Sequence, residues 1–233
     1  MLFAEIAAAQ TPASFGYAIN DAGWVTGDVT PALGEVAVHA FVWNGKTMRD
    51  LGTLGGEFSN GNAINNAGWV TGTSTTATGE QHAFLWDGKT MRDLGTLGGS
   101  CCGWLIYGSA INNAGSVTGS STTATFEQRA FLWDGKTMRD LGTLGGEYSQ
   151  GYAINNAGWV TGGFGTAIDS RAFLWNGKTM RDLGTLGGWY TGAGDINNAG
   201  WVTGTSTTAT GEFHAFLWDG KTMRDLGTLG GSY

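Results

Sequence analysis

The sequence predicts an all-β fold, a five-bladed β-propeller with four antiparallel strands and about 43 residues per blade. Three observations predict it. The segment Gly-Lys-Thr-Met-Arg-Asp-Leu-Gly-Thr-Leu-Gly-Gly begins unchanged at Gly45, Gly88, Gly135, Gly177 and Gly220, in steps of 43, 47, 42 and 43 residues. A second marker, Ile-Asn-(Asn/Asp)-Ala-Gly, begins at Ile19, Ile64, Ile111, Ile154 and Ile196. The composition is rich in glycine (42 residues) and aromatics (12%) and poor in charge (13%), as suits short strands joined by tight turns.

The second copy shows how each strand is read. Asn62 to Asn65 is a short strand, and Asn66-Ala67-Gly68 a turn in which Gly68 suits a left-handed backbone. Trp69 to Ser74 is a second strand rich in β-formers. A polar loop, Thr75 to Gln81, leads to His82-Ala83-Phe84-Leu85-Trp86, whose apolar run predicts a strand covered on both faces. Asp87-Gly88 is a hairpin signal, replaced by Asn-Gly at Asn44-Gly45 and Asn176-Gly177. Met91 to Leu97 is the fourth strand, and its charges suit an outer edge.

The repeats run approximately 15–56, 57–99, 100–146, 147–188 and 189–233, after an N-terminal extension over 1–14. Together, 15–233 read as one propeller domain. The last copy ends in pattern and the first resumes it at Phe15, so the termini are expected to meet and close a monomeric ring. Met1 to Gln10 resembles the small-residue end of a secretory leader. It lacks a basic start and is broken by Glu5, so it reads as a remnant rather than a working leader.

A formal net charge of −7 disfavours nucleic acid and anionic membranes as partners. No apolar run approaches the roughly 20 residues of a membrane-spanning helix. There is no nucleophile elbow, phosphate loop or metal-ligand spacing, so the sequence is read as neither an enzyme nor the holder of a cofactor or metal.

The motifs resemble the HAF repeat family of bacterial repeats. The name-giving triplet stands at His39-Ala40-Phe41, His82-Ala83-Phe84 and His214-Ala215-Phe216, with Arg129 and Arg171 in the histidine position of the other copies. Asp-Leu-Gly-Thr-Leu-Gly-Gly and Ile-Asn-Asx-Ala-Gly-X-Val-X-Gly complete the likeness. It implies a repeat fold and an extracellular or cell-surface location, and it brings no catalytic residues.

Several features invite a chemical reading. The histidines are equivalents in different copies, read as strand-end polar contacts rather than metal ligands. The Arg-Asp pairs, such as Arg92-Asp93, read as solvated or inter-blade ion pairs, since five equivalent copies do not give the two environments that acid–base work needs. Asn20, Asn65, Asn112, Asn155 and Asn197 either shape local turns or line a central channel; turn formation is favoured. Cys101-Cys102 is either a pair of free thiols or a strained vicinal disulfide.

The copies differ most in the connection after Gly-Gly. There stand Glu57, Phe58, Trp104, Glu147, Tyr148, Trp189, Tyr190 and Tyr233. An aromatic face beside small polar groups and glutamate suits a sugar ring and its hydroxyls; it equally suits packing between blades. The leading expectation is therefore a non-catalytic extracellular binding propeller with several weak carbohydrate sites at blade junctions. The alternative is a protein-interaction or surface-structural module without a small ligand.

Overall fold

The computed structural model describes residues 13–31, 37–99, 106–165 and 169–230. Every regular element among them is a β-strand. The first repeat supplies β1 (Ser14–Ile19), β2 (Val25–Val29), β3 (His39–Trp43) and β4 (Met48–Asp50). The second supplies β5 (Gly55–Ile64), β6 (Val70–Thr76), β7 (Gln81–Trp86) and β8 (Met91–Asp93). The third supplies β9 (Tyr107–Ile111), β10 (Val117–Thr122), β11 (Gln128–Trp133) and β12 (Met138–Asp140). The fourth supplies β13 (Tyr148–Ile154), β14 (Val160–Gly165), β15 (Ser170–Trp175) and β16 (Met180–Asp182). The fifth supplies β17 (Gly187–Ile196), β18 (Val202–Thr208), β19 (Phe213–Trp218) and β20 (Met223–Asp225).

Within each repeat the strands pair in sequence order as an antiparallel meander. The last two repeats join into one eight-stranded sheet through a single parallel pairing, Ser170 with Tyr190. Cross-strand registers repeat from copy to copy: Val70 faces Trp86 and Val117 faces Trp133.

Local chemistry explains the turns. Asn65 Oδ1 accepts from the amides of Ala67 (3.0 Å) and Trp69 (2.9 Å), which folds the β5–β6 connection. Gly68 takes a φ of +78°, the left-handed region that glycine enters without steric cost. In the β7–β8 hairpin, Asp87 Oδ1 accepts from Lys89 and Thr90 N–H, both at 2.9 Å. Those backbone donors, Thr90 first and Lys89 next, hold the Asp87 carboxyl below its ordinary range.

Two strand boundaries differ from expectation. The first strand of the second repeat is ten residues, with register shifts at Gly55/Ser59 and Gly61/Ala63. The fourth stops at Asp93 rather than Leu97. Asp93 Oδ1 captures Gly95 N–H at 2.7 Å and turns the chain, while Leu94 N–H crosses to Ala83 O.

The apolar core lies between repeats rather than within them. Ala40, Val42 and Leu51 of the first repeat cluster with Ile64, Val70, Phe84 and Trp86 of the second. The three following junctions are built alike. The Phe84, Phe131 and Phe173 side chains are fully enclosed, each worth about 1.5–3 kcal/mol of burial that a lone repeat would forfeit.

The closed monomeric ring expected from the termini is not what the described residues form. Packing runs β2 and β3 against β5, β6 and β7 against β9, β10 and β11 against β13, and β14 and β15 against β17. No comparably packed pair among the described residues joins the first repeat to the fifth. Ile19 is 69% exposed where Ile64 is 9%, and Leu226 is 53% exposed where Leu51 is 9%. Because each copy carries the same two faces, one face of each kind stays open where the first and fifth repeats do not meet; whether they meet is set by how far each repeat rotates against the last.

Candidate functional site

A cavity of about 770 Å³ lies where the first three repeats meet. That volume is within the range of small-molecule sites. The ring of Phe58 forms one wall, with Asp28 and Gln81 among the polar groups and Tyr107 opposite in sequence. Phe58 is presented because its strand, β5, begins at the repeat boundary; its amide donates to Thr75 Oγ1 at 2.9 Å and the ring stays 41% exposed.

Asp28 carries the distinctive chemistry. It faces Ala40 on β3 and stands where the other copies have Thr73, Ser120, Gly163 and Thr205. Tyr17 donates its phenolic O–H to Asp28 Oδ2 at 3.0 Å. Burial, then the bond to Asp28, raises the Tyr17 phenol above its ordinary range. The second carboxyl oxygen, Asp28 Oδ1, is buried without a hydrogen-bond partner, and so is Gln81 Oε1. Two unsatisfied buried acceptors on residues that line one cavity are costly alone. Asn62 and Thr73 are already engaged, donating to Gly108 O at 3.0 Å and Ile106 O at 3.4 Å.

A smaller cavity, about 180 Å³, lies between the last two repeats and is lined by Tyr152 and Tyr190. Burial pushes the Tyr152 phenol up to about 12, and its O–H donates to Gln150 Oε1 at 2.7 Å.

The sequence-predicted site residues are dispersed. Phe58 alone among them lines the larger cavity, and Tyr190 lines the smaller. Trp189 is 57% exposed and meets Tyr190 and Phe213 edge-on, with ring centroids at 5.7 and 6.5 Å. Tyr148 is half-buried on β13. The Glu57 and Glu147 side chains are exposed; the Glu57 carbonyl accepts from Val38 N–H and the Glu147 carbonyl from Arg129. Trp104, Tyr233 and the Cys101-Cys102 pair lie outside the described residues.

The small polar groups in these connections serve packing. Ser59 Oγ donates to Gly52 O and accepts Ala40 N–H at 2.8 Å, and Ser149 does the same with Gly142 and Ala130 (2.9 Å). Sequence reading grouped them with a sugar site; their recurrence seven residues after an Asp-Leu-Gly glycine was the signal of a structural clamp. Asp28 was missed, and its departure from the hydroxyl or glycine of the other copies was the signal.

Elsewhere the polar pairs are structural. His39, His82 and His214 place Nδ1 2.8–2.9 Å from Asp50, Asp93 and Asp225. Arg171 reaches Asp182 at 3.1 Å in the equivalent place. Among the described residues, no three His, Cys, Asp or Glu side chains gather as a metal site. No helix there is long and apolar enough to cross a membrane.

Comparison with known proteins gives the class. No protein-family model matches the chain, and no curated protein matches it. Solved structures do match. A putative TolB from Agrobacterium tumefaciens superposes with a TM-score of 0.58 at 14% identity, over 92% of this chain and 81% of that one. The acylaminoacyl peptidase of Pyrococcus horikoshii gives 0.55 at 16% identity, over 82% of this chain and only 30% of the peptidase. The fucose-specific lectin of Aleuria aurantia gives 0.49 at 12% identity, over 92% and 76% of the two chains. The TolB-like neighbour is a β-propeller, and the four-stranded antiparallel sheets place this chain in the same fold class.

The exclusion of an enzyme is corrected by the same comparison. A peptidase contains a region of this fold, so missing catalytic motifs in this chain do not exclude a place in an enzyme. At such identities the likeness establishes fold alone.

Proposed function

We propose that the chain is a binding β-propeller, one blade per repeat and five in all, whose ligand is a carbohydrate held in the cavity between the first three repeats. The observation that carries this reading is the pair of unpartnered buried acceptors, Asp28 Oδ1 and Gln81 Oε1, beside the exposed face of Phe58. A sugar supplies the complement: hydroxyl donors for the two acceptors and an apolar C–H face for the aromatic ring. The smaller cavity at Tyr152 and Tyr190 is a second, unequal place for such a ligand. An extracellular or cell-surface location, carried by the HAF-repeat resemblance, agrees with a glycan ligand.

The test is a glycan-array screen followed by titration calorimetry on the sugars retained. Binding is expected to weaken at least about tenfold in Asp28→Asn and in Phe58→Ala. A screen without signal above background, or binding indifferent to both substitutions, overturns the reading.

A further inference from the structure

Four series of contacts that join one repeat to the next have a direction. Asn20 Nδ2 donates to Asn65 O at 3.0 Å, Asn65 to Asn112 O, Asn112 to Asn155 O and Asn155 to Asn197 O. Beside this ladder, the amides of Asp21, Asn66, Asn113 and Asn156 donate to the side-chain oxygen of the next repeat's Asn66, Asn113, Asn156 and Asn198. On the outer edge, Arg49, Arg92, Arg139 and Arg181 lie 4.9–5.3 Å over the ring of the next repeat's tryptophan. Trp24, Trp69 and Trp159 press on the next repeat's Gly68, Gly115 and Gly200, where a Cβ would collide with the ring.

Each series leaves a contact of its kind unmade at either end among the described residues: the Asn20 carbonyl accepts the Gly23 N–H of its own turn, whereas the Asn65 carbonyl accepts both Gly68 N–H and Asn20 Nδ2. At the outgoing end, Asn197, Arg224 and Trp201 are all exposed. At the incoming end, Trp43 is 37% exposed where Trp86 is 4%, and nothing lies within 4 Å of the Gly23 Cβ position. The halves match in kind: Asn197 with the Asn20 carbonyl, Arg224 with Trp43, Trp201 with Gly23. Asn198 N–H likewise matches Asp21, a carboxylate one of whose oxygens already accepts from Asn66 Nδ2 at 2.6 Å.

We propose that these faces dock on one another between molecules: the outgoing face of the fifth repeat of one copy of this chain seats on the incoming face of the first repeat of a second copy. The occupant follows from continuity. The interface it would make is already made four times within the chain, with the same residues in the same direction. The two faces differ, so neither pairs with itself, and the contact is head-to-tail, closing a ring of copies or extending a filament.

The test is sedimentation velocity over a micromolar-to-millimolar series of the full chain, with two blocked variants. Ile19→Arg spoils the incoming face and Trp201→Glu the outgoing one; both sites are exposed, so folding is retained and is checked by circular dichroism. Wild type is expected to associate with rising concentration. Each variant alone is expected to lose association at least about tenfold. Mixed together, the two are expected to form a one-to-one dimer, since each keeps the face the other has lost. Trp43→Ala and Arg224→Glu, also exposed, serve as a second pair should either first variant misfold. A wild type that stays monomeric throughout, whether open or closed on itself, overturns the proposal. So does association that survives either block, or a mixture that yields no dimer. None of these substitutions touches the Asp28 cavity, so sugar binding and docking can fail independently.

Discussion

The same residues meet two fates in this molecule. At an internal junction Leu141, Asn112 and Trp133 are buried; at the ends their equivalents Leu226, Asn197 and Trp43 face solvent. The local sequences are near copies, so the difference belongs mainly to the neighbour. Stability in this chain is therefore a property of junctions, as expected where repeats contribute mainly through nearest-neighbour interfaces.

Equivalent substitutions at the two kinds of place sharpen that contrast. Leu141→Ala is expected to destabilise by about 2–5 kcal/mol, and Leu226→Ala by less than about 0.5 kcal/mol, measured by urea unfolding at low protein concentration. Asn112→Ala is expected to cost about 1–3 kcal/mol, because it strips both the turn and a buried donor to Asn155 O; Asn197→Ala removes the turn bonds alone and should cost about 1 kcal/mol. Equal losses at the paired positions would break the comparison.

Gly115→Ala and Gly23→Ala probe backbone and packing separately. Both sites have positive φ, +83° and +77°, so each should lose about 1 kcal/mol to strain. The first also meets Trp69, whereas the space around Gly23 is open, and thermal melts should separate the two by about a further 1 kcal/mol.

The smallest expected effect is electrostatic. The bond to Asp93 raises the His82 imidazole above its ordinary pKa, against the opposing effect of burial. Burial lifts the Asp93 carboxyl, but the bonds from His82 and Gly95 outweigh it and leave it lowered. The histidine contribution is full below its unfolded pKa and is lost as pH rises through the raised folded value. The aspartate contribution is present above its unfolded pKa and is lost as pH falls through the lowered one. Stability from the pair thus peaks in the mildly acidic range, by about 0.5 kcal/mol after solvent screening. His82→Arg, which copies Arg171 at the equivalent place, should flatten the decline toward alkaline pH in melts across a buffer series.

The strands and turns were legible in the sequence because their causes are local. Asn65 with Gly68, and Asp87 with Gly88, encode their turns within a few residues, and β-rich runs such as Phe84 to Trp86 announce burial. The ends were not legible: five copies of one face pattern read alike whether or not a neighbour is present, since closure depends on how far each repeat rotates against the last. Half of the candidate site was legible. Phe58 stands out as an aromatic in a variable connection, but local sequence does not tell a packing role for Ser59 from a ligand role, because its clamp on Ala40 spans 19 residues. Asp28 escaped notice because it gains meaning only from Gln81 and Phe58, which the fold brings to it from another repeat.

The account turns on the ends being open in a single molecule, and amide hydrogen exchange at high dilution tests that directly. Ala40 and Ala130 N–H donate to a serine of the following repeat, while the equivalent Ala215 is exposed. The Ala215 amide should exchange freely at dilution and become protected as concentration rises, with Ala40 and Ala130 slow throughout. An Ala215 amide as protected as Ala130 in the dilute monomer would contradict the account, because the seam would then be closed within one chain.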